Sequence, residues 1–239
     1  MKAMVLCAGY GTRLGQLASE LPKPMLPLAG RPMLEHILCH LARHGFDEIA
    51  INLHFRPEAI MTHFGDGSRW GIRLSYSHEP ELLGTAGGLK KMADFLAGSE
   101  PFLVQYGDVV TDEDFTAMLR FHQQHQALAT VLVHRREQSN SMIALDDQQR
   151  ITCFLERPTE QQRAGLTAPW VNSGIAICQS ELLDAIPSGI AADLPRDVFT
   201  KLVGTGRLFG FPLKGYRCAV DSPERLAEVR AAMARGARR

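Results

Sequence analysis

Residues 1–25 read MKAMVLCAGYGTRLGQLASELPKPM and join an apolar segment to a glycine-rich turn and two cations. Lys2–Leu6 is short and apolar, which predicts a buried strand, and the turn Gly9–Gly11 follows it directly. Arg13 and Lys23 place two positive charges close to this turn. Because a glycine-rich turn after the first strand of an α/β sheet lies at the edge where ligands bind, the stretch predicts an anion site.

Two better-known nucleotide motifs do not fit this turn, which disfavours an NAD-dependent oxidoreductase. A Rossmann fingerprint needs a third glycine where this chain has Leu14, and no acidic residue closes a second strand about 20 residues later. A Walker loop needs Gly-Lys-Ser/Thr, which the sequence lacks. What remains is the amides of Gly9 and Gly11, the Thr12 hydroxyl and the Arg13 guanidinium, which suit phosphate oxygens. A plain tight turn is the alternative.

The spacing of apolar residues predicts an α/β fold. Strand and helix patterns alternate through the first half, which implies mainly parallel strands with helices on both faces. More closely spaced strands in the second half add mixed or antiparallel pairs to the sheet, and no linker or repeat divides the chain, so we expect a single domain over 1–239. The predicted strands are Lys2–Leu6, Glu48–Leu53, Ile72–Ser77, Phe102–Tyr106, Ala129–Val133, Met142–Leu145, Ile151–Leu155 and Val171–Ile177, and the predicted helices include Pro57–Phe64, Leu89–Phe95 and Leu194–Val203.

Composition limits the partners that the chain can attract. Of 239 residues, 45% are hydrophobic, and 26 Lys and Arg balance 26 Asp and Glu, so no net charge favours nucleic acid or an anionic membrane. The apolar start is too short for an export signal, and no stretch is long enough to span a membrane. Five cysteines without a C-x-x-C pair fit a reducing compartment, so we expect a cytoplasmic protein.

Four further stretches carry small or polar residues at the ends of predicted strands or within one. Gly84–Gly88 follows a strand, where small residues would let a flat ring approach the backbone, although a simple helix entry is equally compatible. Asp108 follows the Phe102–Tyr106 strand and is either a helix cap or a hard oxygen ligand for Mg²⁺. Glu156 and Arg157 are either a surface ion pair or groups that bind sugar hydroxyls and phosphate, and Asn172 interrupts an apolar strand.

The chain resembles the sugar-1-phosphate nucleotidyltransferases along nearly its whole length. The resemblance rests on motifs in the family's order, at Ala8–Leu14 with Pro22–Pro24, Leu83–Gly87, Gly107–Asp108, Glu156–Pro158 and Val171–Gly174. The stretch DGSRWGIRLSYSHEPELLGTAG is most similar to the mannose-1-phosphate and heptose-1-phosphate guanylyltransferases. The stretches PFLVQYGDVVTDEDF and DGSRWG are also similar to the uridylyltransferase of muramic acid recycling.

This resemblance implies a Rossmann-like α/β domain that converts a nucleoside triphosphate and a sugar 1-phosphate into a nucleotide sugar and pyrophosphate, with Mg²⁺ as cofactor. Arg157 stands where the family usually has lysine. By the matching motifs, the catalytic residues would be Arg13, Lys23 and Asp108, the nucleotide would contact Ala8, Gly9, Gly11, Thr12, Gly84, Thr85, Ala86 and Gly87, and the sugar phosphate would contact Glu156, Arg157 and Asn172.

The chain departs from the family near its C-terminus. Where relatives commonly read Gly-Tyr-Trp-x-Asp-Val-Gly-Thr-Pro-Glu, this chain reads GYRCAVDSPE, which puts Ala219 in place of the second metal-binding aspartate. Asp221 lies two residues later. The sequence allows Asp221 to be a compensating Mg²⁺ ligand beside Asp108 or a cap of the helix that begins near Pro223.

Several alternatives stay open at this point. The base and sugar could differ, as in a uridylyl- or thymidylyltransferase acting on N-acetylmuramic acid 1-phosphate or glucose 1-phosphate. A homologue that binds nucleotide sugars without turnover is the alternative from another class, because the C-terminal motif is altered. The expected partners are a nucleoside triphosphate and a sugar 1-phosphate, and the chain could be a monomer or a homo-oligomer. Of the nine histidines, His54 and His78 lie near strand ends.

Overall fold

The computed structural model describes residues 1–11, 21–98, 100–137 and 139–236, so Thr12 and Arg13 lie outside the described residues. Contacts divide the chain into two compact units. The prediction that residues 1–239 form one domain stays a prediction. The first unit comprises Met1–Leu82, Gln105–Glu113 and Gly215–Arg239, and the second comprises Leu83–Val104 and Asp114–Lys214.

A parallel sheet forms the centre of the first unit. Its strands are β1 (Lys2–Leu6), β4 (Glu48–Leu53) and β5 (Arg73–His78), with Leu6 opposite Asn52 and Leu53 opposite His78. β1 and β4 are nearly continuous apolar runs, as expected for strands buried on both faces, whereas only Leu74 and Ser77 are buried in β5. In this register the carboxyl ends of the three strands lie at one edge, so the segments that follow them meet there.

Helices and short ladders complete the first unit. Helix α1 (Met33–Arg43) buries apolar residues at helical spacing and ends before Gly45, which adopts a left-handed φ of 79°. Antiparallel pairs join β2 (Pro27–Leu28) to β3 (Arg31–Pro32) and β7 (Val109–Thr111) to β13 (Arg217–Ala219). The remaining elements are α2 (Pro57–Phe64), the 3₁₀ turns Lys23–Met25 and Ser68–Trp70, and the C-terminal helix α8 (Pro223–Gly236).

Mixed strand pairing characterises the second unit. Strand β8 pairs antiparallel with β11 and parallel with β12, and β9 pairs antiparallel with β10. Gly210 in β12 packs closely on β9, and a Cβ there would lie 2.6 Å from Leu145 Cδ2, so a larger residue would require the Leu145 side chain to shift. The strands are β8 (Ala129–Arg135), β9 (Ser141–Leu145), β10 (Ile151–Glu156), β11 (Trp170–Cys178) and β12 (Leu208–Pro212), and β6 (Phe102–Tyr106) contributes residues to both units.

The helices of the second unit include the predicted glycine-rich segment. Helix α3 begins at Gly84, so the prediction that Gly84–Gly88 is a turn before a helix at Leu89 was wrong. A π-helical turn, Leu194–Phe199, begins the segment that was predicted as one regular helix, and Pro195 lies at its start. The helices are α3 (Gly84–Lys91), α4 (Ala93–Leu96), α5 (Phe115–Gln124), α6 (Glu160–Arg163) and α7 (Thr200–Leu202), with a 3₁₀ turn at Ser180–Ala185.

The predicted α/β class, with helices and a mixed, mainly parallel sheet, is confirmed. Strands β7, β12 and β13 were not predicted, because two of them have three residues each and β12 contains Gly210 and ends in Pro212. Across the described ranges, none of the helices combines the length and the apolar composition that a membrane crossing requires.

Candidate functional site

The glycine-rich turn follows β1 at the edge where the strands of the first unit end. Gly11 has a left-handed φ of 68°, a conformation that favours glycine, whereas a Cβ on Gly9 would meet open space. Ala8 is buried, with 7% of its surface exposed, and Gly9 is exposed. The turn therefore presents backbone rather than bulky side chains at this edge, although the predicted contributions of Thr12 and Arg13 fall outside the described residues.

A buried polar network supports the turn from below. Asn52 Oδ1 accepts a hydrogen bond from the Cys7 amide at 2.8 Å, and Asn52 Nδ2 donates to Glu79 Oε1 at 2.9 Å. Asn52 and Glu79 are only 3% and 1% exposed. The network fixes the point at which the chain leaves β1. Asn52 and Glu79 were not among the predicted residues, although a polar residue inside the apolar run IAINL is a signal that could have found Asn52.

A second contact holds the exposed side of the turn. The Tyr10 hydroxyl lies 2.7 Å from His54 Nε2, and His54 Nδ1 lies 2.7 Å from the Glu79 carbonyl oxygen. Because a carbonyl only accepts, Nδ1 carries a proton, and in the neutral ring Nε2 accepts from the Tyr10 hydroxyl. The turn is thus held at Cys7 and at Tyr10 by residues that follow or end β4 and β5.

Lys23 and Asp108 form an ion pair near the end of β1. The Lys23 Nζ lies 2.5 Å from Asp108 Oδ2, and these side chains are 11% and 26% exposed. The Gly107 amide donates to the Leu6 carbonyl at 2.9 Å, and a Cβ on Gly107 would lie 2.4 Å from Cys7 Sγ. Glycine at 107 therefore lets Asp108 approach the end of β1. Burial, with the Asp108 charge as a smaller cause, raises the pKa of the Cys7 thiol, so Cys7 is not a nucleophile here.

Asp221 lies close in the chain to a residue that contacts Asp108. The Val220 amide donates to the Asp108 carbonyl at 2.8 Å, which continues the ladder between β13 and β7. Ala219 pairs with Val109. The capping role that the sequence left open for Asp221 is filled by Ser222, whose Oγ accepts from the Arg225 amide at 3.3 Å.

The donor set of the first unit is compatible with a cation that phosphates help to hold. Within the part of the chain that the structure describes, no three His, Cys, Asp or Glu side chains are grouped as a metal site. Mg²⁺, however, is commonly held by one or two carboxylates together with substrate phosphates and water. The partly exposed Asp108 carboxylate meets that requirement, so the residues at this site fit a Mg²⁺ ion.

In the second unit, the start of α3 packs against a distant segment of the chain. The amides of Ala86 and Gly87 both donate to the Ala192 carbonyl, at 2.9 and 3.2 Å. Ala86 is fully buried, and a Cβ on Gly84 would lie 2.4 Å from that same carbonyl oxygen. The small residues at the start of α3 allow the backbone of Ala192 to pack closely against the helix. Gly84 and Thr85 remain at least partly exposed to solvent.

Glu156 ends β10 in an acidic and partly buried environment. Burial first, and then the charge of Asp193, raises the pKa of Glu156 to about 7, while Arg157 and Arg196 act in the opposite direction. Arg157 is exposed and has a left-handed φ of 50°, which is unusual for a residue with a side chain. The Glu156 carboxyl is therefore partly protonated near neutral pH and can donate as well as accept a hydrogen bond.

Asn172 lies at an irregular point of β11. The pairing with β8 shifts between Asn172 and Ala176, and Gly174 within this bulge has a left-handed φ of 78°. Asn172 Oδ1 accepts from the Gly174 amide at 2.9 Å, and the Asn172 amide donates to Ser141 Oγ at 2.8 Å. Bulges re-aim side chains, so the interruption that the sequence showed has a defined local structure.

The predicted site residues form one group in each unit. None of the predicted site residues lines the cavity of about 1100 Å³ in the first unit, which is bordered by Trp70, Gln105 and Tyr216 among others. The first group contains Ala8, Gly9, Gly11, Lys23, Asp108 and Asp221, and the second contains Gly84, Thr85, Ala86, Gly87, Glu156, Arg157 and Asn172.

Comparison with known proteins agrees with the resemblance. The chain is 37% identical to a UTP–glucose-1-phosphate uridylyltransferase of Synechocystis sp. over 87% of its length, and 31% identical to a mannose-1-phosphate guanylyltransferase of Mycobacterium tuberculosis over 98%. It spans 57% and 65% of the lengths of these two curated relatives.

The fold itself is shared with solved structures. A crystal structure of a candidate glucose-1-phosphate thymidylyltransferase from Bacillus anthracis aligns with a TM-score of 0.85 at 20% identity, covering 97% of this chain and 94% of that one. Residues 2–216 match the model of the nucleotidyl transferase family. The expected family resemblance is confirmed, and the chain belongs to the nucleotidyl transferase family.

Proposed function

We propose that this chain transfers a nucleotidyl group from a nucleoside triphosphate to a sugar 1-phosphate. The observation that carries the proposal is the ion pair of Lys23 and Asp108, 2.5 Å apart beside a glycine-rich turn, in a member of the nucleotidyl transferase family. In this reaction a phosphate oxygen of the sugar 1-phosphate bonds to the α-phosphorus, the bond between the α- and β-phosphates breaks, and pyrophosphate leaves.

The residues of the first group suit this chemistry. The attacking oxygen is already anionic, so no general base is needed, and the protein must align the phosphates and neutralise their charge. Lys23 supplies a cation, and the amides at Gly9 and Gly11 can approach phosphate oxygens because no side chain intervenes. Arg13 would supply a second cation. Ala8 and Thr12 complete the proposed contacts to the triphosphate.

Mg²⁺ is the proposed cofactor, with Asp108 as its principal ligand and Asp221 as a second. Bound with the phosphates, the cation would offset the charge that develops on their oxygens. Replacing Asp221 by Asn should raise the Mg²⁺ concentration for half-maximal activity about tenfold, because an amide binds a hard cation poorly. Ser222→Ala is the matched control, since it removes the helix cap and leaves both carboxylates. An unchanged Mg²⁺ requirement in Asp221→Asn would leave Asp108 as the sole ligand.

The second group is proposed to bind the base, ribose and sugar phosphate. The amides of Ala86 and Gly87 already donate to the Ala192 carbonyl. Of the residues at the start of α3, the more exposed Gly84 and Thr85 are therefore the ones proposed to contact the nucleotide. Glu156 and Asn172 would bind sugar hydroxyls, and the exposed Arg157 would pair with the sugar phosphate.

Guanylyl transfer to a mannose- or heptose-type sugar 1-phosphate is the favoured substrate pair, in line with the 31% identical relative named as a mannose-1-phosphate guanylyltransferase. Uridylyl or thymidylyl transfer, to glucose 1-phosphate or N-acetylmuramic acid 1-phosphate, is the second candidate, and the 37% identical relative named as a UTP–glucose-1-phosphate uridylyltransferase favours it. A cytoplasmic location is proposed from the five free cysteines, which suit a reducing compartment.

The test is pyrophosphate release with Mg²⁺ and a matrix of GTP, UTP and dTTP against mannose, heptose, glucose and N-acetylmuramic acid 1-phosphates. We expect release with one pair to exceed the others, and Lys23→Ala to abolish most of it. If no pair releases pyrophosphate while a nucleotide sugar still binds by calorimetry, the chain is a binding homologue and not an enzyme.

A further inference from the structure

The segment at residues 192–194 ties down the start of α3 with hydrogen bonds in both directions. Besides accepting from Ala86 and Gly87, Ala192 donates its amide to the Leu83 carbonyl at 2.9 Å. The Thr85 hydroxyl accepts from the Leu194 amide at 2.6 Å and donates to Asp193 Oδ2 at 3.2 Å. Gly84 has a left-handed φ of 71°. The orientation of the helix start is therefore set by this segment.

Asp193 uses its two carboxylate oxygens for different neighbours. Oδ2 accepts from Thr85, and Oδ1 accepts from the Arg196 amide at 3.1 Å, which caps the π-helical turn. Its own amide donates to Asp197 Oδ2 at 2.7 Å. Because both carboxylate oxygens and the backbone amide of Asp193 form hydrogen bonds, the position of its negative charge is fixed.

The same charge acts on Glu156. The rings of Phe154 in β10 and Phe199 in the π-helical turn lie 5.8 Å apart, so the end of β10 packs on the element that Asp193 caps. The charged groups that act on Glu156 are Asp193, Arg157 and Arg196, and its neighbour across the β9 ladder is Ser141, which does not titrate.

We propose that Asp193 is a positioning residue that serves both parts of the second group: it orients the start of α3 through Thr85 and sets the charge that Glu156 meets. No motif singled out this residue in the sequence. The relevance to substrates rests on the proposed function, in which α3 contacts the nucleotide and Glu156 contacts the sugar. The Asp193 carboxylate would then affect both the orientation of α3 at the nucleotide and the protonation of Glu156 at the sugar.

The charge part of the proposal is tested by titration, which needs no turnover. The ¹³C signals of glutamate side-chain carboxyls are followed against pH, and Glu156→Gln identifies the Glu156 signal by its loss. The wild-type midpoint is expected near 7, since burial and Asp193 raise the pKa of Glu156 to that value. Asp193→Asn keeps the shape and the capping oxygen but removes the charge, so the midpoint should fall by about one pH unit. Asp184→Asn, which removes an exposed carboxylate elsewhere in the second unit, is the matched control and should leave the midpoint near 7.

The positioning part is tested at Thr85. Thr85→Val keeps the volume and loses both hydroxyl hydrogen bonds, so the dissociation constant for the nucleoside triphosphate, measured by calorimetry, should rise several-fold. Thr85→Ser should restore tight binding. An unchanged midpoint in Asp193→Asn, an equal shift in Asp184→Asn, or wild-type nucleotide affinity in Thr85→Val would overturn the proposal. If the wild-type chain binds no triphosphate at all, the proposed function fails, and the titration decides the role of Asp193 alone.

Discussion

Replacing Asn52 by Ala should destabilise the first unit strongly, because this side chain links the Cys7 amide to the Glu79 carboxylate. Its Oδ1 accepts from Cys7 at 2.8 Å and its Nδ2 donates to Glu79 at 2.9 Å. Both residues are buried from solvent, since Asn52 is 3% exposed and Glu79 is 1% exposed. Water therefore cannot easily replace the lost partners.

The size of the effect follows from the two groups left behind. A buried amide without an acceptor costs about 1–3 kcal/mol, and losing a hydrogen bond to a carboxylate costs about 1.5–3 kcal/mol. The free energy of unfolding should thus fall by about 3–5 kcal/mol. For a chain of this size, roughly 2–4 °C of Tm is lost per kcal/mol, so Tm should fall by about 6–20 °C.

Urea denaturation and thermal melting followed by circular dichroism measure this loss. Asn140→Ala is the matched control, because Asn140 is exposed and its replacement should change the free energy by less than about 0.5 kcal/mol. Glu79→Gln keeps an oxygen that can accept from Asn52, so it should cost less than Asn52→Ala. A loss below about 1 kcal/mol in Asn52→Ala would refute the reasoning that these two hydrogen bonds hold the turn after β1.

Three further outcomes are expected. Lys23→Ala should lower turnover in the pyrophosphate assay by about 100-fold, the usual cost of losing a charge-stabilising group, and wild-type turnover would contradict its role. Asn172→Ala should weaken use of the sugar 1-phosphate while calorimetry shows unchanged triphosphate binding; an equal loss of both would reject the assignment. Burial lowers the pKa of His122 from 6.5 to about 4 in the folded chain. As pH falls below 6.5, the unfolded chain therefore takes up a proton at His122 before the folded chain does. The free energy of unfolding is thus highest above pH 6.5 and decreases as pH falls toward 4. In a plot of the urea midpoint against pH, His122→Asn should reduce the slope between pH 6.5 and 4. An unchanged slope would contradict the role of His122 in this pH dependence.

Strands with continuous apolar runs were predictable from local sequence. β1 and β4 have the predicted bounds, because burial on both faces leaves a nearly unbroken apolar signal, and β5, which alternates between apolar and polar residues, differs by one residue at each end. The edge location of the turn Gly9–Gly11 followed from the same pattern. The position of Asp108 was readable as well, since it comes directly after a strand of this kind.

Contacts between residues distant in sequence were not predictable in the same way. The glycines of α3 were interpreted as room for a ligand, but the Ala192 carbonyl, more than 100 residues later, lies against them. Asp193 and Asn52 carry no motif, and their importance comes only from the partners that folding brings to them. A pattern of small residues indicates close approach without telling what approaches.

The C-terminal departure from the family shows how one local rule and one distant contact combine. Proline favours the first position of a helix, so Pro223 fixes the cap at the preceding residue, which is Ser222 and not Asp221. The Val220 amide meanwhile donates to the Asp108 carbonyl, which brings the backbone just before Asp221 against Asp108. The acid missing at Ala219 is thus followed two residues later by one whose capping role is taken by its neighbour. Metal binding by Asp221 stays a prediction, and Asp221→Asn against Ser222→Ala is the comparison that separates metal binding from capping.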